Sequence, residues 1–214
     1  KKEETDDWWN GMNRLYNVFC YDYLYPNPKS VMAFIENHDT DRFLGEGKDT
    51  LALKQALALL LTVNRIPQLY YGTEVLMNGT KSVTDGNVRK DFPGGWAGDA
   101  TNAFTVEGRT KAQNDMFSWT SRLLHWRQGN EVITKGTQTQ FCSHKGIYVV
   151  ARQYNGKSVM TVINGKNNAA ELDVKRYAEI IGDAQKAVDV TTGRNVVISH
   201  NVKMRPRQTM VLEF

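Results

Sequence analysis

Val31-Met32-Ala33-Phe34-Ile35-Glu36-Asn37-His38-Asp39-Thr40-Asp41-Arg42 passes from a continuous apolar run directly into a polar, acid-rich one. A short unbroken apolar run of this kind predicts a strand buried on both faces. Asp49 is placed to cap a following helix whose buried face is Leu53, Ala56, Leu57, Leu60 and Leu61. Ile66-Pro67-Gln68-Leu69-Tyr70-Tyr71 then reads as a second short buried strand, closed by Gly72. Strand, helix and strand in this order form a βαβ unit, so the two strands should be parallel.

Working outward, Trp8, Trp9, Met12, Leu15, Tyr16, Phe19 and Tyr23 recur at helical spacing ahead of the first strand. Tyr25-Pro26-Asn27-Pro28 ends that helix, because proline cannot continue the hydrogen-bond ladder. Beyond the second strand, Thr73 to Lys111 is a long Gly- and Asn-rich stretch without periodicity, a length at which loops are commonly functional. Met116, Trp119, Leu123 and Trp126 mark a third helix ending near Gly129. After Gly136 the pattern turns to β: Ile147–Tyr154 and Val159–Asn164 flank Asn155-Gly156, a strong hairpin signal. Further strands are expected at Ala170–Val174, Ala187–Val190, Val196–Ser199 and Thr209–Glu213. The expected division is an α/β region over residues 1–130 and a small antiparallel β-sandwich over 137–214.

At 214 residues, 41% hydrophobic and 23% charged, the composition is that of a globular protein with a real core. The longest apolar stretch, Ala56 to Val63, is far shorter than the ~20 residues that span a bilayer. The net charge of +4 comes from scattered bases; Lys1-Lys2, Arg89-Lys90 and Arg205-Pro206-Arg207 are the densest groups, which excludes a basic nucleic-acid stripe. Cys20 and Cys142 read as two buried free thiols in different domains, and no ligand spacing for zinc is present.

The chemistry concentrates in Glu36-Asn37-His38-Asp39-Thr40-Asp41-Arg42. Just past a parallel barrel strand, such residues face the active-site mouth. Carboxylates and imidazole there can bind ring hydroxyls and offset oxocarbenium charge. The competing reading is that Asp39 caps a loop while His38 satisfies backbone groups.

Phe34-Ile35-Glu36-Asn37-His38-Asp39 resembles the segment after the seventh barrel strand of the α-amylase family, and Ile66–Glu74 resembles the eighth strand, with Arg65 in place of the usual glycine. Asp22–Pro28 and Thr84–Trp96 are most similar to neopullulanases and cyclomaltodextrinases. The resemblance implies the C-terminal part of a (β/α)8 TIM barrel, its last two strands and helices, followed by the β-sandwich. It implies a retaining hydrolase of α-1,4-glucans or maltooligosaccharides, with α-1,6 bonds within reach. Asp39 would be the third active-site carboxylate, His38 its hydroxyl-binding neighbour, and Asp85 with Arg89 the holders of a more distant glucose unit. An exposed ion pair without ligand is the alternative for Asp85 and Arg89. Phe92 and Trp96 are either stacking platforms or packing beneath the loop.

The family's nucleophile sits in a Gly-x-Arg-x-Asp pattern that is missing from this sequence, and Glu36, Asp41 and Glu74 do not replace it. The expectation is therefore a segment without nucleophile or general acid, inactive by itself. No cofactor is visible; calcium is allowed for only in the part of such a protein outside this segment. The expected partner is an α-glucan or maltooligosaccharide, with neither nucleic acid nor membrane, and the resemblance favours a periplasmic or extracytoplasmic setting over a cytoplasmic one. The rival expectation is a non-catalytic amylase-fold binding or transporter-associated subunit.

Overall fold

The computed structural model describes residues 7–214, so Lys1-Lys2 lies outside the described residues. Helix α1 spans Asn13–Cys20 and runs into a 3-10 turn at Tyr21–Leu24. It starts later than the aromatic spacing predicts. Asp7 accepts from the Trp9 amide at 2.9 Å, and Gly11 has φ of 55°, so Trp8 and Trp9 sit in a turn ahead of the helix. Trp8 still packs edge-on against Tyr16, with ring centroids 5.7 Å apart.

Strand β1 (Met32–Ala33) pairs in parallel with β2 (Ile66–Pro67), joined by α2 (Thr50–Thr62). The βαβ unit is present, and the Asp49 carboxylate caps α2 by accepting from the Ala52 amide at 2.9 Å. Both strands are shorter than expected, and β1 is not buried on both faces. Met32 is 56% exposed, Phe34 42% and Ile66 52%. Val31, Ala33 and Ile35 alternate with Met32 and Phe34, and Ala33 and Ile35 pack against α2. Only one face of the pair has a covering layer among the described residues, which is why the continuous apolar run is half exposed.

Helix α3 is the single turn Asp85–Val88, and α4 spans Lys111–Arg127 with a complete capping box between Thr110 and Gln113. Met116, Trp119 and Leu123 are buried, while Trp126 is only partly so. A short α5 (Glu131–Lys135), capped by Asn130, follows; its brevity hides it from periodicity.

Strands β3 (Thr137–His144), β4 (Ile147–Tyr154), β5 (Lys157–Asn164), β6 (Ala170–Asp173), β7 (Lys186–Asp189), β8 (Arg194–Val197), β9 (Asn201–Met204) and β10 (Thr209–Glu213) build the rest, with α6 (Ala178–Ile181) after β6. Six of them form an antiparallel sheet in the order β3-β4-β5-β10-β7-β8, and β6 with β9 forms a second, two-stranded sheet. The β4–β5 turn has φ of 49° at Asn155 and 74° at Gly156, the two left-handed residues that a tight hairpin needs. Strands β3 and β9 escape the sequence reading because their residues are largely polar (Thr137-Gln138-Thr139-Gln140 and Asn201-Val202-Lys203-Met204).

The large sheet is buried on both sides. Ile147, Val149, Ala151, Met160, Val162, Met210 and Leu212 face β6, β9 and α6 in one cluster. Tyr148, Val150 and Ile163 face α1 and the end of α2, while Val159 and Val211 meet α2 and α4. Polar ties reinforce this second interface: Arg127 donates to Leu61 O at 2.6 Å, Arg152 donates to Thr62 O at 3.2 Å and Gly136 O at 2.7 Å, and Gln55 donates to Asn164 O at 2.9 Å. Burial, with Arg127 nearby, lowers the Arg152 pKa to about 10.

Asp189, 3% exposed, closes β7 onto β10. Its Oδ1 accepts from the Thr191 amide (3.0 Å), the Thr191 hydroxyl (2.9 Å) and the Val211 amide (3.2 Å). Asp189→Ala strands these buried donors and is expected to cost about 3 kcal/mol in urea unfolding. Asp189→Asn keeps an acceptor oxygen and should cost about 1 kcal/mol. Equal losses would show that the amide acceptor is not what matters.

Candidate functional site

The polar end of β1 is shaped by Asn37. Its side-chain oxygen accepts from the Asp39 amide at 2.8 Å, and its own amide donates to the Thr40 hydroxyl at 3.0 Å. This local turn projects His38 and Asp39 outward, with side chains 59% and 61% exposed. His38 Nε2 lies 3.2 Å from one Asp39 oxygen, and the Arg89 guanidinium lies 3.0 Å from the other. Arg89 also donates through Nε to His38 O at 3.0 Å. Asp85 Oδ2 stands 3.6 Å from Arg89.

The four residues singled out by sequence thus share one exposed patch, with Arg89 bonded more closely to Asp39 than to Asp85. Lys81 joins them, 3.3 Å from Asp85 and donating to Asp39 O at 3.2 Å, while its backbone amide donates to Asp41 at 2.7 Å. Its contribution comes from loop closure, for which the sequence carries no periodic signal. Phe92 packs against Phe104 with centroids 4.5 Å apart, whereas Trp96 stands 68% exposed on the same loop.

A buried ion pair holds this patch in place. Arg42 and Glu36 are each 2% exposed, with Arg42 NH1 3.3 Å from Glu36 Oε1. Arg42 also donates to Tyr71 O at 2.7 Å and to Val88 O at 3.0 Å, and its guanidinium lies 4.0 Å from the Tyr70 ring centroid. Glu36 accepts from the Thr73 hydroxyl and the Phe43 amide. One arginine therefore joins the segments after β1 and β2 to the end of α3, which carries Asp85 and Arg89. Gly79 lets the long loop close against α3, since a Cβ there would sit 2.2 Å from Asn87 O. Nothing in the sequence distinguishes Arg42 from a surface arginine.

The cluster alternates carboxylates with cationic and imidazole donors, an arrangement suited to directional hydrogen bonds with hydroxyl groups. No group of three or more His, Cys, Asp or Glu among the described residues is placed to hold a metal ion, and no described helix is long and apolar enough to cross a membrane.

Glu74 sits behind the site, partly buried, and burial raises its carboxyl pKa above the ordinary 4.5. A carboxyl with a raised folded-state pKa favours folding below about pH 4.5, and that contribution is lost as pH rises through the folded value. Glu74→Gln removes the cost of ionisation. The Tm of the variant relative to wild type is expected to rise between pH 4 and pH 7, and a difference independent of pH would contradict this origin.

Residues 138–213 match the family model described as the cyclo-malto-dextrinase C-terminal domain. A cyclomaltodextrin glucanotransferase of Paenibacillus macerans is 27% identical over 202 residues, covering 88% of this chain and 25% of its own length. An alpha-amylase of Niallia circulans is 25% identical over 198 residues, covering 88% of this chain and 34% of its own. This chain thus spans about a third or less of the length of these curated relatives, and less than a quarter of several others. Among solved structures, the gamma-CGTase of alkalophilic Bacillus clarkii superposes with a TM-score of 0.70 at 24% identity, covering 95% of this chain and 29% of that one. The alpha-amylase of Geobacillus thermoleovorans, solved with acarbose, also gives 0.70, at 20% identity, covering 93% of this chain and 42% of that one. Residues 138–213 are thus similar to the cyclo-malto-dextrinase C-terminal domain, and the chain as a whole resembles cyclomaltodextrin glucanotransferases and alpha-amylases in sequence and α-amylase-family enzymes in fold.

Proposed function

We propose that this chain is part of a retaining glycoside hydrolase acting on α-1,4-glucans or maltooligosaccharides, of the neopullulanase or cyclomaltodextrinase type. In this reading residues 1–130 are the last two strands and helices of a (β/α)8 barrel and 137–214 a C-terminal β-sandwich. The observation that carries it is the convergence of His38, Asp39, Asp85 and Arg89 past the end of a parallel strand. In that position Asp39 grips the hydroxyls of the sugar being cleaved, His38 orients it, and Asp85 with Arg89 holds a glucose unit further along the chain.

The half-exposed β1–β2 pair supports the barrel reading. A groove of about 880 Å³ runs beside it, lined by apolar side chains including Leu15, Phe19, Val31 and Leu59. Further barrel strands would cover that surface. The nucleophile and the general acid, which a retaining enzyme holds about 5–5.5 Å apart, belong in this reading to the part of the protein outside these residues. This segment alone is expected to release no reducing sugar from starch or pullulan. Release proportional to purified segment, after controls for contaminating enzyme, would overturn that assignment.

The same reading makes Asp39 a transition-state contact in the full-length protein. Asp39→Asn keeps the side-chain shape and removes the charge. Its kcat on a maltooligosaccharide is expected to fall on the order of 10³-fold, equivalent to about 4 kcal/mol, with KM changing far less. Because the side chain is exposed, unfolding stability should move by less than about 1 kcal/mol. A folded variant with near-normal kcat would return Asp39 to the loop-capping role. A parent inactive before mutation, yet still binding maltooligosaccharide, would instead identify the non-catalytic binding subunit.

A further inference from the structure

The sequence pairs Asp85 with Arg89, but the structure gives Asp85 a nearer cation. The Arg89 guanidinium is committed to the segment after β1: NH2 donates to Asp39 Oδ1 at 3.0 Å and Nε to His38 O at 3.0 Å. The same NH2 lies 3.6 Å from Asp85 Oδ2, beyond a good hydrogen bond. Lys81 Nζ stands 3.3 Å from the other Asp85 oxygen and donates to Asp39 O at 3.2 Å. The ammonium therefore bridges α3 to the turn that carries Asp39. The start of this side chain is itself fixed. The Lys81 amide donates to Asp41 Oδ1 at 2.7 Å, the Thr80 amide donates to Asn87 Oδ1 at 2.8 Å, and Gly79 O accepts from the Arg42 amide at 3.0 Å.

We propose that Lys81 is a positioning residue of the sugar site, holding the Asp85 carboxylate in the orientation in which it accepts hydroxyls from the more distant glucose unit. The inference rests on the reading of Asp85 as a sugar contact. Asp85 projects from a single helical turn and is 58% exposed, so its own packing does little to select a rotamer. A carboxylate that must meet a hydroxyl in one direction needs support from a neighbour. Lys81 supplies it at one oxygen, and the remaining lone pairs can accept from the ligand. Its action runs through Asp85 because it meets Asp39 at the main-chain carbonyl, while His38 and Arg89 hold the Asp39 carboxylate. An exposed contact of this kind adds little to folding, so its consequence lies in binding.

The test uses the full-length protein carrying this segment, with kcat and KM measured on maltohexaose. Lys81→Met keeps the length of the stem and removes the ammonium. It is expected to raise KM roughly 5-fold with a smaller change in kcat, as expected for a contact remote from the bond cleaved. Asp85→Ala should raise KM roughly 10-fold or more. The double variant should be no worse than Asp85→Ala, because two residues acting through one contact are not additive. Should the parent bind without cleaving, Kd from calorimetry takes the place of KM. Unchanged KM in Lys81→Met where Asp85→Ala raises it, a loss falling mainly on kcat, or additive effects in the double variant would each overturn the positioning role and leave the site reading standing. An Asp85→Ala protein with unchanged KM would overturn the sugar-contact reading of Asp85, and this inference with it.

Discussion

Helix α2 is buried on more than one side, and the rest of the molecule is arranged around it. Leu53, Leu57, Leu60 and Leu61 meet the α4 side chains Met116, Trp119 and Leu123, and share that cluster with Val159 and Val211 of the large sheet. Leu59 and Val63 meet Tyr148, Val150 and Ile163. A helix enclosed in this way cannot leave its last carbonyls to water. Arg127 from α4 and Arg152 from β4 take the Leu61 and Thr62 oxygens, placing positive charge at the negative end of the helix. Burial lowers the pKa of both arginines, a measure of what desolvating them costs. Removing either would leave a buried carbonyl without its donor, and the helix–sheet interface depends on both.

The candidate site rests on a second buried arginine. Asp39, Asp85 and Arg89 are exposed and held by short contacts with one another, which in water contribute little to stability. Their placement depends instead on Arg42, which joins the segments after β1 and β2 to α3 from beneath. Rigid support under an exposed polar cluster is what directional recognition of hydroxyl groups requires, because each misplaced donor loses its geometry before it loses its charge. The dry Arg42–Glu36 pair and the wet Asp39–Arg89 patch are thus two layers of one arrangement.

The strongest regularities were legible in the residues themselves. The βαβ unit follows from two apolar runs around a capped helix, and the β4–β5 hairpin follows from Asn155-Gly156, because both depend on local backbone chemistry. The segment Asn37-His38-Asp39 stood out because polar side chains just past the C-terminal end of a parallel barrel strand face the active-site mouth, although a loop cap uses the same residue types. The elements that stayed hidden have tertiary causes. β3 is polar and is a strand only because β4 offers it a ladder; α5 and α6 are too short for a helical period to register. The aromatic spacing from Trp8 overextended α1, since Asp7 and Gly11 fold that stretch into a turn.

By itself, then, the sequence determined the order of the main elements, the parallel sense of β1 and β2, and the residue types from which a sugar-binding patch can be made. Only the tertiary structure decided that Arg89 bonds to Asp39 more closely than to Asp85, that Arg42 is a buried hub beneath the site, and that Cys20 is exposed and Cys142 only half-buried. Periodicity and capping act over a few residues and leave their mark in the local pattern. Ion pairs and burial join positions tens of residues apart, and they exist only once α1, α2 and the long loop have packed against the sheet.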